Sequence, residues 1–196
     1  MTKSKAAPIF IVSGLPRCGT SMMMQMIEAG GMQVITDHIR QADEDNPRGY
    51  YEFEKVKKIK EDSSWLDDCQ GKVFKMVSAL LYYLPYDKEY KIVFMTRKMD
   101  EMLASQNTML RRHGRTDTVV SDEEMGKKLE EHLLKVKTWL AKYRNLNVIY
   151  INYNSVIENT LENVKNVALF LNLQMDIDKM VKVVESSLYR QKTGNI

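Results

Sequence analysis

The sequence predicts a three-layer α/β/α domain, with helices on both faces of a central parallel sheet of about five strands. Two observations carry that expectation. Apolar, strand-like runs alternate with helical periodicities along the whole of the 196 residues. The first such run, Ile9-Phe10-Ile11-Val12, also feeds a loop bounded by Gly14 and Gly19 that opens a helix. That arrangement cradles phosphate at the carboxyl end of a parallel sheet.

Taken in order, Ser21 to Ala29 reads as the first helix: Met23, Met26 and Ile27 recur at helical spacing, and Gly30-Gly31 stops it. Met32 to Ile35 is a short β-rich run and the expected second strand. Asp37 to Tyr51 is polar and irregular, with Asp43, Glu44, Asp45 and the turn-forming Asn46-Pro47-Arg48-Gly49. A connection of that length tends to be functional or disordered. Glu52 to Lys60 has helical spacing and high charge. Lys72 to Val77 is the third strand, Ser78 to Tyr83 a short helix before Pro85, and Lys91 to Thr96 a buried strand. Met99 to Arg112 is helical through Met102, Leu103, Gln106 and Leu110, and Gly114 breaks it before a loop over 113–120. Ser121-Asp122-Glu123-Glu124 is a capping box opening a helix whose apolar face runs through Met125, Leu129, Leu133, Val136, Leu140 and Tyr143. Asn147 to Asn152 is the last strand. Helices around Leu161–Leu171 and Asp178–Leu188 precede a tail over 189–194. No repeat, low-complexity segment or linker interrupts the pattern, so residues 1–196 read as one domain.

Composition excludes several classes. An apolar fraction of 44% with 28% charged residues is that of a soluble globular domain. The net charge of +3 is too mild to argue for a nucleic-acid partner, and the local basic runs read as solvated faces. Cys18 and Cys69 form no disulfide framework or metal-ligand spacing. Nothing reads as a leader or a membrane span, so the expectation is a cytoplasmic protein. The methionines crowding the first helix (Met22, Met23, Met24, Met26) read as core filler.

The loop differs from the G-x-x-x-x-G-K-[ST] pattern in one informative way. Thr20 follows the second glycine where a nucleotidase has lysine, and the cation lies inside the loop at Arg17. Loop N–H groups, the helix dipole and the Thr20 and Ser21 hydroxyls still suit an anion. The strands over 91–96 and 147–152 end in Thr96-Arg97 and Asn152, so neither delivers an aspartate to a metal at its tip. The expected fold is P-loop NTPase-like, with an anion whose transfer uses N–H donors and a cation rather than a metal.

Gly14-Leu15-Pro16-Arg17-Cys18-Gly19-Thr20-Ser21 resembles the 5′-phosphosulfate loop of sulfotransferases that use 3′-phosphoadenosine 5′-phosphosulfate (PAPS), in the arginine form of the tyrosylprotein branch and many bacterial members. Val93-Phe94-Met95-Thr96-Arg97, with Ser105 eight residues on, resembles the family's strand-end arginine and helical serine that hold the 3′-phosphate. Tyr150-Ile151-Asn152-Tyr153-Asn154-Ser155-Val156 resembles the strand ending in Tyr-Glu-Asp-Leu, and Asn46-Pro47-Arg48-Gly49-Tyr50-Tyr51-Glu52 resembles a segment of bacterial sulfotransferase-like proteins. The chain departs from the family at Asn154-Ser155, in place of the acidic pair, and at Lys98-Met99, in place of Asp-Pro. It is also short for the family.

The resemblance implies PAPS as co-substrate, no metal, an unidentified acceptor, and the following roles. Gly14, Pro16 and Cys18 belong to the binding loop, Arg17 meets the bridging and sulfuryl oxygens, and Gly19, Thr20 and Ser21 bind the 5′-phosphate. Arg97 and Ser105 clasp the 3′-phosphate, the alternative being an Arg97 ion pair with Asp100 or Glu101. Tyr153 packs on adenine or is a core tyrosine. Arg190 and Lys192 fold over the 3′-phosphate or belong to a frayed terminus. For the general base that an acceptor hydroxyl needs, Asp37 ranks first and Glu52 second, with His38 a rival; Lys75 supplies a second cation. The loops 37–51 and 113–120 are the expected acceptor walls. Two other readings stay open: a PAPS-binding module without transfer activity, and a kinase with an aberrant loop.

Overall fold

The computed structural model describes residues 6–112, 114 and 120–184. Four parallel strands form its sheet: β1 (Ile9–Gly14), β2 (Val73–Val77), β3 (Tyr90–Thr96) and β4 (Leu146–Asn152), in the spatial order β2-β1-β3-β4. β1 is apolar on both faces because it is central: every residue from Ile9 to Gly14 is buried. The chain leaves β1 for β2 on one side, then crosses back to β3 on the other. That reversal opens a crevice at the carboxyl ends of β1 and β3, where open α/β sheets bind ligands.

The sheet is one strand smaller than expected. Met32–Ile35 makes only a bridge, Val34 opposite Val73, with the Ile35 amide donating to the Val73 carbonyl at 2.8 Å. The pairing stops there because Thr36 Oγ1 and the Asp37 amide both turn to the Glu52 carbonyl, at 2.9 and 3.2 Å.

The two faces of β1 sort the helices. Phe10 and Val12 pack with α1 (Thr20–Ala29), α5 (Tyr153–Glu158), α6 (Thr160–Leu171) and α7 (Ile177–Lys182). Ile9 and Ile11 pack on the other face with α2 (Glu54–Lys57), two 3₁₀ turns (Ser64–Cys69 and Ser78–Tyr83) and α4 (Asp122–Leu140). α3 (Met99–Arg112) lies against Met125, Leu129 and Leu133 of α4 through Met102 and Leu103, with Leu15 of the loop after β1 in the same cluster. Ser121 caps α4 as expected, its side chain accepting from the Glu124 amide at 3.2 Å. The helix expected over 52–60 is shorter, since Glu52 is tied to the bridge region and Phe53 is extended with φ −139°. α5 and the turn at Ser64–Cys69 are additions to the expected elements. Among the described residues no helix is long and apolar enough to cross a membrane.

Phe74 on β2 is fully buried, with its ring edge-on to Trp65 at 5.2 Å. Phe74→Ala is expected to lower unfolding free energy by about 3–5 kcal/mol in urea titration. The same truncation at the exposed Tyr83 should cost no more than about 0.5 kcal/mol.

Candidate functional site

The loop after β1 is shaped by contacts that exclude side chains. At Gly14 the backbone has φ 149°, and a Cβ there would lie 2.5 Å from both the Met95 carbonyl oxygen and Cys18 Sγ. At Gly19, with φ 91°, a Cβ would land on the ring of Tyr153. Between them Arg17 adopts the left-handed conformation with φ 67°. Gly19 is the N-cap of α1 and no side chain caps that helix. The first N–H groups of α1 and the positive end of its dipole are thus turned to a cavity of about 430 Å³ lined by Gly14, Pro16, Arg17, Gly19, Thr20 and Ser21.

Cations dominate this cavity. Among the described residues, Arg17, Arg40, Arg48, Lys57, Lys75, Arg97 and Arg112 line it against the carboxylates of Asp45 and Glu52, seven to two. Such an excess around a helix N-terminus fits a polyanion.

The polar segment before α2 wraps the loop as a strap. Its Asp45 carbonyl accepts from Arg17 Nη2 at 3.2 Å, and the Asp45 carboxylate accepts from Arg112 Nη1 at 2.6 Å. Ser21 Oγ donates to the Tyr50 carbonyl at 3.2 Å and accepts from Asn46 Nδ2 at 3.0 Å. The strap is internally braced: the Tyr50 hydroxyl donates to the Asp43 carboxylate at 2.6 Å, and the Arg40 guanidinium lies 3.4 Å from the Tyr50 ring centroid. Burial, followed by the Asp43 hydrogen bond, pushes the Tyr50 phenol up to about 12, so it stays a donor.

β2 delivers Lys75 from the other side. Its Nζ donates to the Tyr50 carbonyl and lies 3.4 Å from Ser21 Oγ. Burial pulls this ammonium down to about 8 from its ordinary 10.5, against the opposing charge of Glu52. Glu52 accepts from Arg40 Nη1 at 2.8 Å and pairs with Lys57 at 3.3 Å. Burial works to raise its carboxyl, but the Arg40 hydrogen bond and the charges of Lys75, Arg40 and Lys57 outweigh it and hold the group below the usual range.

β3 ends at Arg97, whose Nη1 donates to the Arg17 carbonyl at 3.2 Å and whose guanidinium carbon lies 4.6 Å from the Tyr153 ring centroid. Ser105, one face further along α3, accepts from Arg17 Nε at 3.0 Å. Loop, strand end and helix are therefore joined through Arg17.

Residues 7–195 match the family model described as the sulfotransferase domain. The chain belongs to the sulfotransferase domain family. Among curated proteins none matches this sulfotransferase domain in sequence. Solved structures resemble it in fold. Mouse sulfotransferase SULT7A1 complexed with PAP is 14% identical with a TM-score of 0.61, over 98% of this chain and 69% of that one. The sulfotransferase domain of the Synechococcus PCC 7002 olefin synthase is 11% identical with a TM-score of 0.54, over 97% and 82%. A sulfotransferase domain from the curacin biosynthetic pathway is 12% identical with a TM-score of 0.54, over 93% and 79%.

The sulfotransferase domain brings most of the expected residues to one cavity: Gly14, Pro16, Arg17, Gly19, Thr20, Ser21, Glu52, Lys75, Arg97, Ser105 and Tyr153 all line it. Cys18 does not. Its side chain is buried in the core, and burial pushes the thiol up to about 12, which makes it neutral packing beneath Gly14. Asp37 is also outside the lining. Its carboxylate accepts from the Glu54 amide at 2.6 Å and the Ile39 amide at 3.0 Å, fastening the start of α2. Burial raises that carboxyl and the two backbone hydrogen bonds more than reverse it. His38 is exposed, and Arg190, Lys192 and most of the loop over 113–120 lie outside the described residues. Arg97 makes the ion pair offered as its alternative, with Glu101 at 3.2 Å, while remaining on the cavity wall. Sequence reasoning left Asp45, Asn46, Arg48 and Arg112 without roles. The signal for the first three was the length and turn chemistry of the strap.

Lys75 makes stability depend on pH. Between about 8 and 10.5 the unfolded chain keeps a proton that the folded chain has released, so this contribution is complete above 10.5 and lost as pH falls through about 8. Urea midpoints of wild type relative to Lys75→Met are expected to move in favour of wild type as pH rises across that window. A flat difference would show that Lys75 is not desolvated.

Proposed function

We infer that this domain moves a sulfuryl group from PAPS to a hydroxyl or amine acceptor. The supporting observation is the excess, among the described residues, of seven cations over two carboxylates around the uncapped amino end of α1. PAPS supplies the sulfuryl group on a phosphosulfate anhydride and carries a 3′-phosphate that asks for a second cationic site. Two such regions exist here, Arg17 with Lys75 beside the loop and Arg97 at the end of β3. Mouse SULT7A1, whose fold is shared over nearly all of this chain, was solved as a complex with PAP.

The division of labour follows from placement. The α1 amides and Thr20 bind the 5′-phosphate. Arg17 has a fixed charge and planar donors suited to oxyanions, and it is oriented by Ser105 and the Asp45 carbonyl. Lys75 takes the electrostatic place of the lysine that other phosphate loops carry after the second glycine, but approaches from β2. Both cations act where negative charge develops as the sulfuryl group leaves, the position at which preorganised charge is most effective. Arg97 binds the 3′-phosphate, and Tyr153 supports it from below. Of the carboxylates ranked for the base, Glu52 lines the cavity and takes the acceptor proton, whereas Asp37 lies outside the lining, held by backbone amides.

Calorimetry separates this reading from a kinase. Adenosine 3′,5′-bisphosphate is expected to bind without metal, with a loss of about 2 kcal/mol or more in Arg97→Ala. Preference for ATP with magnesium would overturn the assignment. Turnover of labelled PAPS over an acceptor panel tests catalysis, and Arg17→Ala should lower it by about 100-fold or more. Tight bisphosphate binding with no turnover on any acceptor would favour a binding module instead.

A further inference from the structure

Glu101 lies in the first turn of α3, has no exposure to solvent and does not line the cavity. A carboxylate so placed is costly unless it is paired and hydrogen-bonded. Its Oε2 accepts from Arg97 Nε at 3.2 Å and from Asn154 Nδ2 at 2.9 Å. Asn154, itself buried at the start of α5, accepts at Oδ1 from the Lys98 amide at 3.4 Å. The chain of contacts runs from α5 to a carboxylate, from that carboxylate to a guanidinium, and from the guanidinium to the carbonyl of Arg17.

Two features of this chain give it a purpose beyond neutralising a charge. Arg97 is only 8% exposed at its side chain, so its rotamer is decided by what surrounds it rather than by solvent. It is also pinned on three sides, by Glu101, by the Tyr153 ring and by the Arg17 carbonyl. A guanidinium presents its donors in one rigid plane, so its usefulness to an oxyanion depends on orientation as well as charge. The choice of asparagine at 154 also follows. An acid there would set two carboxylates at hydrogen-bond distance inside the protein, whereas the amide donates to Glu101 and accepts from the backbone.

We propose that Glu101 and Asn154 are positioning residues of the donor site, fixing the plane of Arg97 and thereby setting affinity for a 3′-phosphate. The proposal rests on the reading of Arg97 as the ligand of that phosphate. Neither residue touches the ligand. Both act through Arg97.

The test compares two ligands that differ only in the group concerned, adenosine 3′,5′-bisphosphate and adenosine 5′-monophosphate, by calorimetry on wild type, Arg97→Ala, Glu101→Gln and Asn154→Asp. Glu101→Gln should weaken the bisphosphate by about tenfold, the scale of one charged hydrogen bond, and the monophosphate by no more than about twofold. Asn154→Asp should act in the same direction. A general structural role would lower both affinities together, so the ratio between ligands is the decisive readout. Equal loss on both ligands, or none on either, in Glu101→Gln and Asn154→Asp while Arg97→Ala keeps a selective loss would overturn the proposal alone. No selective loss in Arg97→Ala would overturn the donor-site reading and the proposal with it. Should Glu101→Gln fail to fold, Asn154→Ala removes the same donor without adding charge and is read by the same ratio.

Discussion

The ring of Tyr153 occupies the place a side chain at position 19 would need, and the rest of the site is arranged on that contact. It holds the left-handed turn at Gly19 from below, and through that turn it sets the direction in which α1 begins. The same ring carries the Arg97 guanidinium, which reaches the Arg17 carbonyl on the far side of the loop. One aromatic side chain thus ties the end of β1 to the ends of β3 and β4. A loop of this kind cannot be rigid by itself, because glycine has the largest conformational freedom to lose. Here rigidity is supplied by the neighbouring strand ends.

The strap over the loop adds a second constraint. Its backbone carbonyls hold Arg17, Ser21 and Lys75, so three donors are already oriented within the cavity. Groups held in this way lose little further rotamer freedom when an anion takes up their remaining bonding capacity. The opposing side chains are also balanced locally: Glu52 against Arg40 and Lys57, Asp45 against Arg112, Glu101 against Arg97.

Much of this was legible in the residues because it depends on period and local chemistry. The central strands are mostly apolar since both their faces are covered, and the loop announces itself by two glycines with a buried strand before them. Arg97 and Ser105 stand out through the resemblance of their segment to sulfotransferases, and both line the cavity. What could not be read depends on long-range competition for hydrogen bonds. Met32–Ile35 has the composition of a strand, yet the Glu52 carbonyl draws the chain away after one bridge. Asp37 has the position of a base, yet two amides claim it. Ser105 meets Arg17 at Nε, a partner that spacing alone does not choose. The roles of Asp45 and Asn46 depend on how a turn-rich segment folds back over the loop, which turn propensity announces without giving its direction.

Arg17 stands in a backbone conformation that costs an L-residue about 1–2 kcal/mol, and it is the residue on which the strap, Ser105 of α3 and Arg97 at the end of β3 converge. Glycine at that position would relax the turn and remove the cation together. Selection for a more stable domain and selection for an effective one therefore pull position 17 in opposite directions.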